Sequence, residues 1–212
     1  INLFLLEDSQ GLVLIDTGYP GSADFFQSQL EQLGRGMHDI RRILVTHLHP
    51  DHTGALGEIK QRSGAGAAMH PQDAALVRQG IFARAAKPAP GLLAAVLVKL
   101  FIRGEHQFPA VAIEDELSDG QVLPVAGGLR VIHAPGHSAG QVVFLWEPRR
   151  LLICGDACAN AFGLDYSPIY EDFALGQETL RRLALMDFDA AVFSHGKPIL
   201  RGAAQAFRKR FA

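Results

Sequence analysis

A chain of 212 residues can bury a single hydrophobic core, and 48% hydrophobic against 20% charged residues is the balance of a globular domain. Twenty basic against 22 acidic side chains give a net charge of -2, which argues against a nucleic-acid binder working by phosphate neutralisation and against an acidic disordered tail. Two cysteines cannot build a disulfide framework, so with nine histidines present any transition metal would draw its ligands mostly from imidazole and carboxylate.

In chain order, apolar runs at 3–6 and 12–15 flank the turn-like Glu7-Asp8-Ser9-Gln10-Gly11 and predict a β-hairpin. Asp16-Thr17-Gly18 follows where the second strand ends. Ser22 is placed to cap a helix running to about residue 33, with Phe26, Leu30 and Leu33 on one face and Gly34 as the stop. A buried strand is expected at 43–46, a helix at 53–62, a strand at 67–69, and a further helix opening on Pro71. Residues 81–104 then change character: Pro88, Pro90 and Gly91 break the pattern, and an apolar helix is predicted over 91–102. Twelve residues make about 18 Å of helix, too short for a bilayer, so no membrane partner is expected.

Strands are predicted at 121–123, 129–133, 141–146 and 151–154. An amphipathic helix follows at 173–186, then a strand at 190–193 and a helix at 203–211. This order predicts two sheets packed together with helices outside, in one domain over 1–212, with 81–104 as a helical insertion. Leu92, Val96 and Leu100 share one face of that insertion, which is read as extra core, as a lid over the substrate mouth, or as the contact of a homodimer. The chain opens Ile1-Asn2-Leu3 with neither Met nor a basic region. The expectation is therefore no signal peptide, a cytoplasmic location, and a start inside a longer gene product.

The densest polar cluster is Thr46-His47-Leu48-His49-Pro50-Asp51-His52-Thr53-Gly54. His47, His49 and Asp51 alternate, so an extended segment directs them to one side, and His52 stands where a helix begins. With three His and one Asp at their frequencies in this chain, H-x-H-x-D-H is expected by chance roughly 0.001 times. Three later residues, each in a loop after a strand and beside glycine, could complete a site: His137, Asp156 and His195. Together they make five His and two Asp, enough for two metals if Asp156 is shared.

This ordered set, Asp16-Thr17-Gly18, His47-x-His49-x-Asp51-His52, His137, Asp156 and His195, resembles the metallo-β-lactamase-fold hydrolase superfamily over essentially the whole chain. The resemblance implies an α/β (α+β) fold, a four-layer αβ/βα sandwich of two mixed sheets with the site at one edge between them. It also implies that His47, His49 and His137 hold one divalent metal and Asp51, His52 and His195 a second, with Asp156 bridging. Zinc is the first expectation, with iron or manganese as alternatives. Asp16 would support the ligand loop by accepting hydrogen bonds rather than by binding metal.

The implied reaction is hydrolysis: hydroxide held between two cations attacks a carbonyl, and Asp51 orients the attacking water or accepts its proton. No Ser or Cys nucleophile is then needed, and Cys154 and Cys158 are not assigned a catalytic role. The ligand set is similar to those of glyoxalase II and the acyl-homoserine lactonases, so a small ester, thioester or lactone is the expected substrate. About 17 residues follow His195, too few for the glutathione-binding helical domain of glyoxalase II. The lactonase tyrosine has no counterpart in Ala157-Cys158-Ala159-Asn160, which leaves Tyr166 or Tyr170 as candidates. The alternatives are a mononuclear iron oxidoreductase of the persulfide-dioxygenase type, or a β-lactam or phosphodiester hydrolase of the same fold. The phosphodiester branch is disfavoured by the near-neutral charge. Of the remaining histidines, His38, His70, His106 and His133, the last is the best candidate for lining the pocket.

Overall fold

The computed structural model of the chain describes residues 1–91, 94–96, 98 and 108–212. The opening hairpin forms as the sequence indicates, with β1 (Phe4–Asp8) antiparallel to β2 (Gly11–Ile15). Both β3 (Ile40–Leu44) and β4 (Gly66–Met69) add in parallel, and the short β6 (Asp115–Glu116) completes a mixed sheet in the order β1-β2-β3-β4-β6. The second mixed sheet runs β14-β10-β9-β8-β7, from β7 (Val122–Leu123), β8 (Leu129–His133), β9 (Val142–Trp146), β10 (Leu151–Ile153) and β14 (Ala190–Val192). Its last pair, β10 with β14, is parallel and the others are antiparallel. Two small ribbons pair β11 (Cys158–Ala159) with β12 (Asp165–Tyr166), and β5 (Lys87–Pro88) with β13 (Ile169–Tyr170).

Strand side chains alternate between faces, and here both faces are apolar. Val13 and Ile15 point into a core shared by the two sheets, with Leu44, Val131, Val142, Phe144 and Ile153. Their neighbours Leu12 and Leu14 point to the other side. There they pack with Ile43, Phe26, Leu30, Leu56 and Ile59 under α1 (Ala23–Gln32), α3 (Leu56–Ser63) and α4 (Pro71–Val77). On the far side, Val143, Leu145 and Leu152 meet Leu180, Leu183 and Phe207 of α5 (Phe173–Ala184) and α6 (Ala203–Phe211). Helix, sheet, sheet, helix: the four-layer αβ/βα sandwich is the arrangement that buries all of these faces.

Local differences from the sequence expectation have identifiable causes. Ser22 precedes α1 but accepts no capping hydrogen bond. The predicted strand at 43–46 begins three residues earlier and ends at Leu44, because Val45 and Thr46 leave the ladder to start the ligand loop. One predicted helix over 53–62 is two: α2 (Pro50–Thr53), opened by Pro50, and α3, with Gly54 between them. A Cβ at Gly54 would lie 2.3 Å from Pro20 Cδ, so only glycine lets the segment after Asp16 pack against the ligand helix. The ribbons β5–β13 and β11–β12 are too short for periodicity to announce them.

The insertion at 81–104 is anchored at its start. Phe82 and Ala89 are buried, and Ala89 N–H donates to the Pro168 carbonyl at 2.9 Å. Val96 is exposed; Leu92 and Leu100, the other members of the predicted face, lie outside the described residues, as does His106. Among the described residues no helix is long and apolar enough to cross a membrane.

Phe144, fully buried in the inter-sheet core, should tolerate truncation poorly: Phe144→Ala is expected to cost about 3–5 kcal/mol by denaturant titration. Phe162→Ala, at a side chain 90% exposed, should change stability by less than about 0.5 kcal/mol.

Candidate active site

All seven predicted ligands converge at one edge of the sandwich, in two adjacent groups: His47, His49 and His137, and Asp51, His52, Asp156 and His195. The first two histidines follow β3, where the chain leaves the sheet, and Asp51 and His52 lie on α2. His137 follows β8, Asp156 follows β10 and His195 follows β14, so both sheets contribute loops from strand ends. A backbone hydrogen bond from Val142 N–H to the Thr46 carbonyl, 2.9 Å, ties the two sheets together at this edge.

In the first group three ring nitrogens face one another: His47 Nε2 to His49 Nδ1 at 3.1 Å, His137 Nε2 to His49 Nδ1 at 2.9 Å, and His137 Nε2 to His47 Nε2 at 3.1 Å. In the second, His195 Nε2 lies 3.1 Å from Asp51 Oδ2, and His52 Nε2 lies 3.5 Å from the same oxygen. Asp156 stands between the groups. Its Oδ1 is 3.5 Å from His52 Nε2, while its Oδ2 is 3.3 Å from His195 Nε2 and 3.7 Å from His137 Nε2.

Hydrogen bonds behind the rings decide which nitrogen faces the site. His47 Nδ1 donates to Thr46 Oγ1 at 3.0 Å, and that hydroxyl in turn donates to Asp16. His52 Nδ1 donates to Asp16 Oδ2 at 2.8 Å, and His137 Nδ1 to the Ile169 carbonyl at 2.8 Å. In the neutral ring each of these bonds makes Nε2 the bare nitrogen that points inward, the tautomer a metal ligand requires. Asp16 also accepts from Thr46 N–H at 2.8 Å, and Thr17 N–H and Oγ1 both donate to the His52 carbonyl. The first motif therefore holds the second by its backbone and by its rings. Asp16 does this at φ +62°, a left-handed conformation that Asp adopts more readily than most residues.

Electrostatics divide the two groups. Burial, reinforced by neighbouring imidazoles, holds the His47 basicity well below the histidine range and lowers His49 to about 3, so this group is a set of neutral donors. Burial acts the same way on His195, but the Asp156 and Asp51 carboxylates outweigh it and raise its pKa to about 9. His52 is likewise raised, burial being overcome by Asp16, Asp156 and Asp51.

The donor set fits divalent cations. His52 Nε2 and Asp156 Oδ1 are buried and have no hydrogen-bond partner, a cost of about 1–3 kcal/mol each unless something binds them. Three imidazole nitrogens 2.9–3.1 Å apart approach the ~3.3 Å edge of a tetrahedron with bonds of about 2.0–2.1 Å. Imidazole and carboxylate are ligands for zinc, iron or manganese.

Other candidates are employed elsewhere. Tyr170 donates its hydroxyl to the Ala157 carbonyl and accepts from Ser167 N–H, and Tyr166 stacks with Phe173, Phe211 and the Arg210 guanidinium. His133 stacks on His70 and donates from Nε2 to the Ala139 carbonyl, while His38 is exposed. Gly136-His137-Ser138-Ala139-Gly140 has the G-x-S-x-G spacing of a serine-hydrolase elbow, which corrects the expectation that the chain carries no such motif. Ser138 is fully buried, and its hydroxyl donates to Asp73 rather than to a histidine, so it is not an activated nucleophile. Cys154 and Cys158 are buried free thiols, and burial, followed by the neighbouring Cys154, pushes the Cys158 thiol up and away from reactivity. A residue absent from the sequence reading is Tyr19, half exposed between Gly18 and Pro20. Its hydroxyl is raised by burial and then by the Asp51 carboxylate, which puts it in the field of the second group.

Comparison with known proteins decides the family. The model of the metallo-beta-lactamase superfamily matches residues 1–196. The chain belongs to the metallo-beta-lactamase superfamily. Among curated relatives, it is 28% identical over 201 residues to atrochrysone carboxyl ACP thioesterase AgnL7 of Paecilomyces divaricatus, covering 93% of this chain and 51% of that one. It is 26% identical over 211 residues to the probable metallo-hydrolase YflN of Bacillus subtilis, covering 92% and 79%. The first relatives are longer proteins: the chain spans 52% of the lactamase-like protein aptB of Emericella nidulans. Among solved structures, the metallo-beta-lactamase family protein TTHA1429 of Thermus thermophilus superposes with a TM-score of 0.72 at 26% identity, over 98% of this chain and 72% of that one. Membership brings a fold that implies divalent metal ions, in keeping with the two His/Asp groups.

Asp16→Asn keeps the shape and tolerates the left-handed backbone but turns an amide donor toward groups that themselves donate. It is expected to weaken cation binding by about 10–100-fold in isothermal titration. Unchanged affinity would remove Asp16 from the supporting role.

Proposed function

We propose that the chain is a hydrolase with two divalent cations, zinc in the first instance, acting on a small thioester, ester or lactone. The observation that carries this reading is the position of Asp156, whose Oδ1 faces His52 of the second group while its Oδ2 lies between His195 of the second and His137 of the first. His47, His49 and His137 would hold one cation, and Asp51, His52 and His195 the other. When bound, the pair would acidify a water and stabilise charge on the carbonyl oxygen.

The protein's own groups do the rest. His47, His52 and His137 are buried, whereas His49, Asp51 and His195 are partly open, so substrate approaches over the latter three. Asp51 is held ionised: burial opposes this, but His52 and His195 together overcome it and keep its carboxyl well below the usual range. The carboxylate is thus an ionised acceptor at the partly open side, where it would orient the attacking water and take its proton. A nucleophilic side chain is not required, in keeping with the sequestration of Ser138 and both thiols. Thioesters stand first because curated relatives over nearly the full length of this chain are named acyl-carrier-protein thioesterases. The assembled second group favours this reading over a mononuclear iron oxidoreductase, which needs only one set of ligands.

The test is a panel of acyl thioesters, esters, lactones, β-lactams and phosphodiesters, run with wild type, chelated and zinc-restored protein, and Asp156→Ala. Thioester or ester cleavage should be lost on chelation, return with zinc, and fall by at least about 100-fold in Asp156→Ala. A fully active Asp156→Ala, or one iron per chain with persulfide-dependent oxygen uptake, would overturn the proposal.

A further inference from the structure

Asp73 lies outside every ligand motif, on α4, yet its carboxylate is fully buried. It accepts hydrogen bonds from four directions. Leu48 N–H, between His47 and His49, reaches Oδ2 at 3.0 Å. Ser138 Oγ, beside His137, reaches the same oxygen at 2.7 Å, and Gly140 N–H reaches Oδ1 at 2.9 Å. Arg84 Nη1 meets Oδ1 at 2.6 Å.

Two of these donors belong to the loop that follows the His137 strand, and one to the His47/His49 loop of the other sheet. The carboxylate is therefore a clamp between the two loops that must meet to form the three-histidine group. Its fit is tight on the far side: a Cβ at Gly140 would stand 2.4 Å from Asp73 Cγ, so glycine is required there.

Only an ionised carboxylate suits this position. It offers about four lone-pair sites to four donors, whereas an asparagine offers two and turns an amide against the remaining N–H groups. A buried anion needs a counter-charge, and Arg84 supplies it from the first residues of the insertion. Arg84 also touches Glu171 Oε1 at 3.3 Å, while Glu171 Oε2 accepts Ala139 N–H at 2.8 Å, which fastens the residue between Ser138 and Gly140. A further bond from Arg84 to the Gln72 carbonyl returns the network to the N-terminus of α4.

We infer that Asp73, with Arg84 as its counter-ion, is a positioning residue that sets the geometry of the His47, His49 and His137 group by locking the two ligand loops together. This rests on the metal-hydrolase reading above, and its own consequence is selectivity. Loss of the clamp should loosen the first group and spare Asp51, His52 and His195, which it does not touch.

The experiment is a Co(II) titration of chelator-treated protein, followed by visible absorption. His137→Ala and His195→Ala identify which equivalent belongs to which group. Two equivalents bound by wild type support the metal reading itself; none bound would overturn that reading before the clamp is at issue. Asp73→Asn should weaken the equivalent lost in His137→Ala by about 10–100-fold and alter its absorption, while the other changes less than about threefold. Arg84→Gln, at a partly exposed side chain, should weaken the same equivalent by a smaller factor, and decides the matter if Asp73→Asn does not fold. Equal loss of both equivalents, or wild-type affinity for the first, would reduce Asp73 to a structural residue and overturn the inference.

Discussion

The structure depends on one buried carboxylate that stands outside both groups of candidate metal ligands. Asp16 sits at the end of β2 with no exposure, accepts from the backbone and hydroxyl of Thr46, and accepts again from the His52 ring. A buried anion is costly unless its lone pairs are used, and here each use fixes a candidate ligand: His47 through Thr46, His52 directly. Both strands that lead into this arrangement are buried on two faces, so they cannot shift register without turning apolar side chains into the wrong layer. The candidate site inherits its rigidity from the sandwich.

The division of labour between the two groups follows from charge. The three-histidine group carries no carboxylate of its own, whereas the other has Asp51 with it and Asp16 behind His52. Asp156 is common to both. A dinuclear centre built this way would distribute two carboxylates and five imidazoles over two divalent cations. Under the proposed reading the ligand set would govern the attacking water and the walls of the pocket what is attacked.

How much of this is legible in the sequence varies by element. The strands β2, β8, β9 and β10 are runs of branched and apolar residues and can be read directly; so can α5 and α6, whose apolar faces recur at helical spacing. The ligand motif is legible because four potential ligands within six residues do not arise by chance, and the later His137, Asp156 and His195 take meaning from it. The ribbons are not legible: Lys87–Pro88 and Ile169–Tyr170 form strands only because each finds the other. Nor are the partners behind the site. Asp73 and Arg84 are single polar residues in unremarkable local contexts, and their roles come from contacts across 11 to 87 residues of chain that no local pattern encodes. Tyr166 and Tyr170 fail as site residues for the same reason, since aromatic and backbone partners elsewhere claim them.

The most direct measurement is anomalous diffraction from crystals of the zinc-loaded protein. Two peaks are predicted, one bonded to His47, His49 and His137 and one to Asp51, His52 and His195, with the Asp156 carboxylate touching both. A single peak confined to one group, with the nitrogens of the other still hydrogen-bonded among themselves, would contradict the dinuclear account.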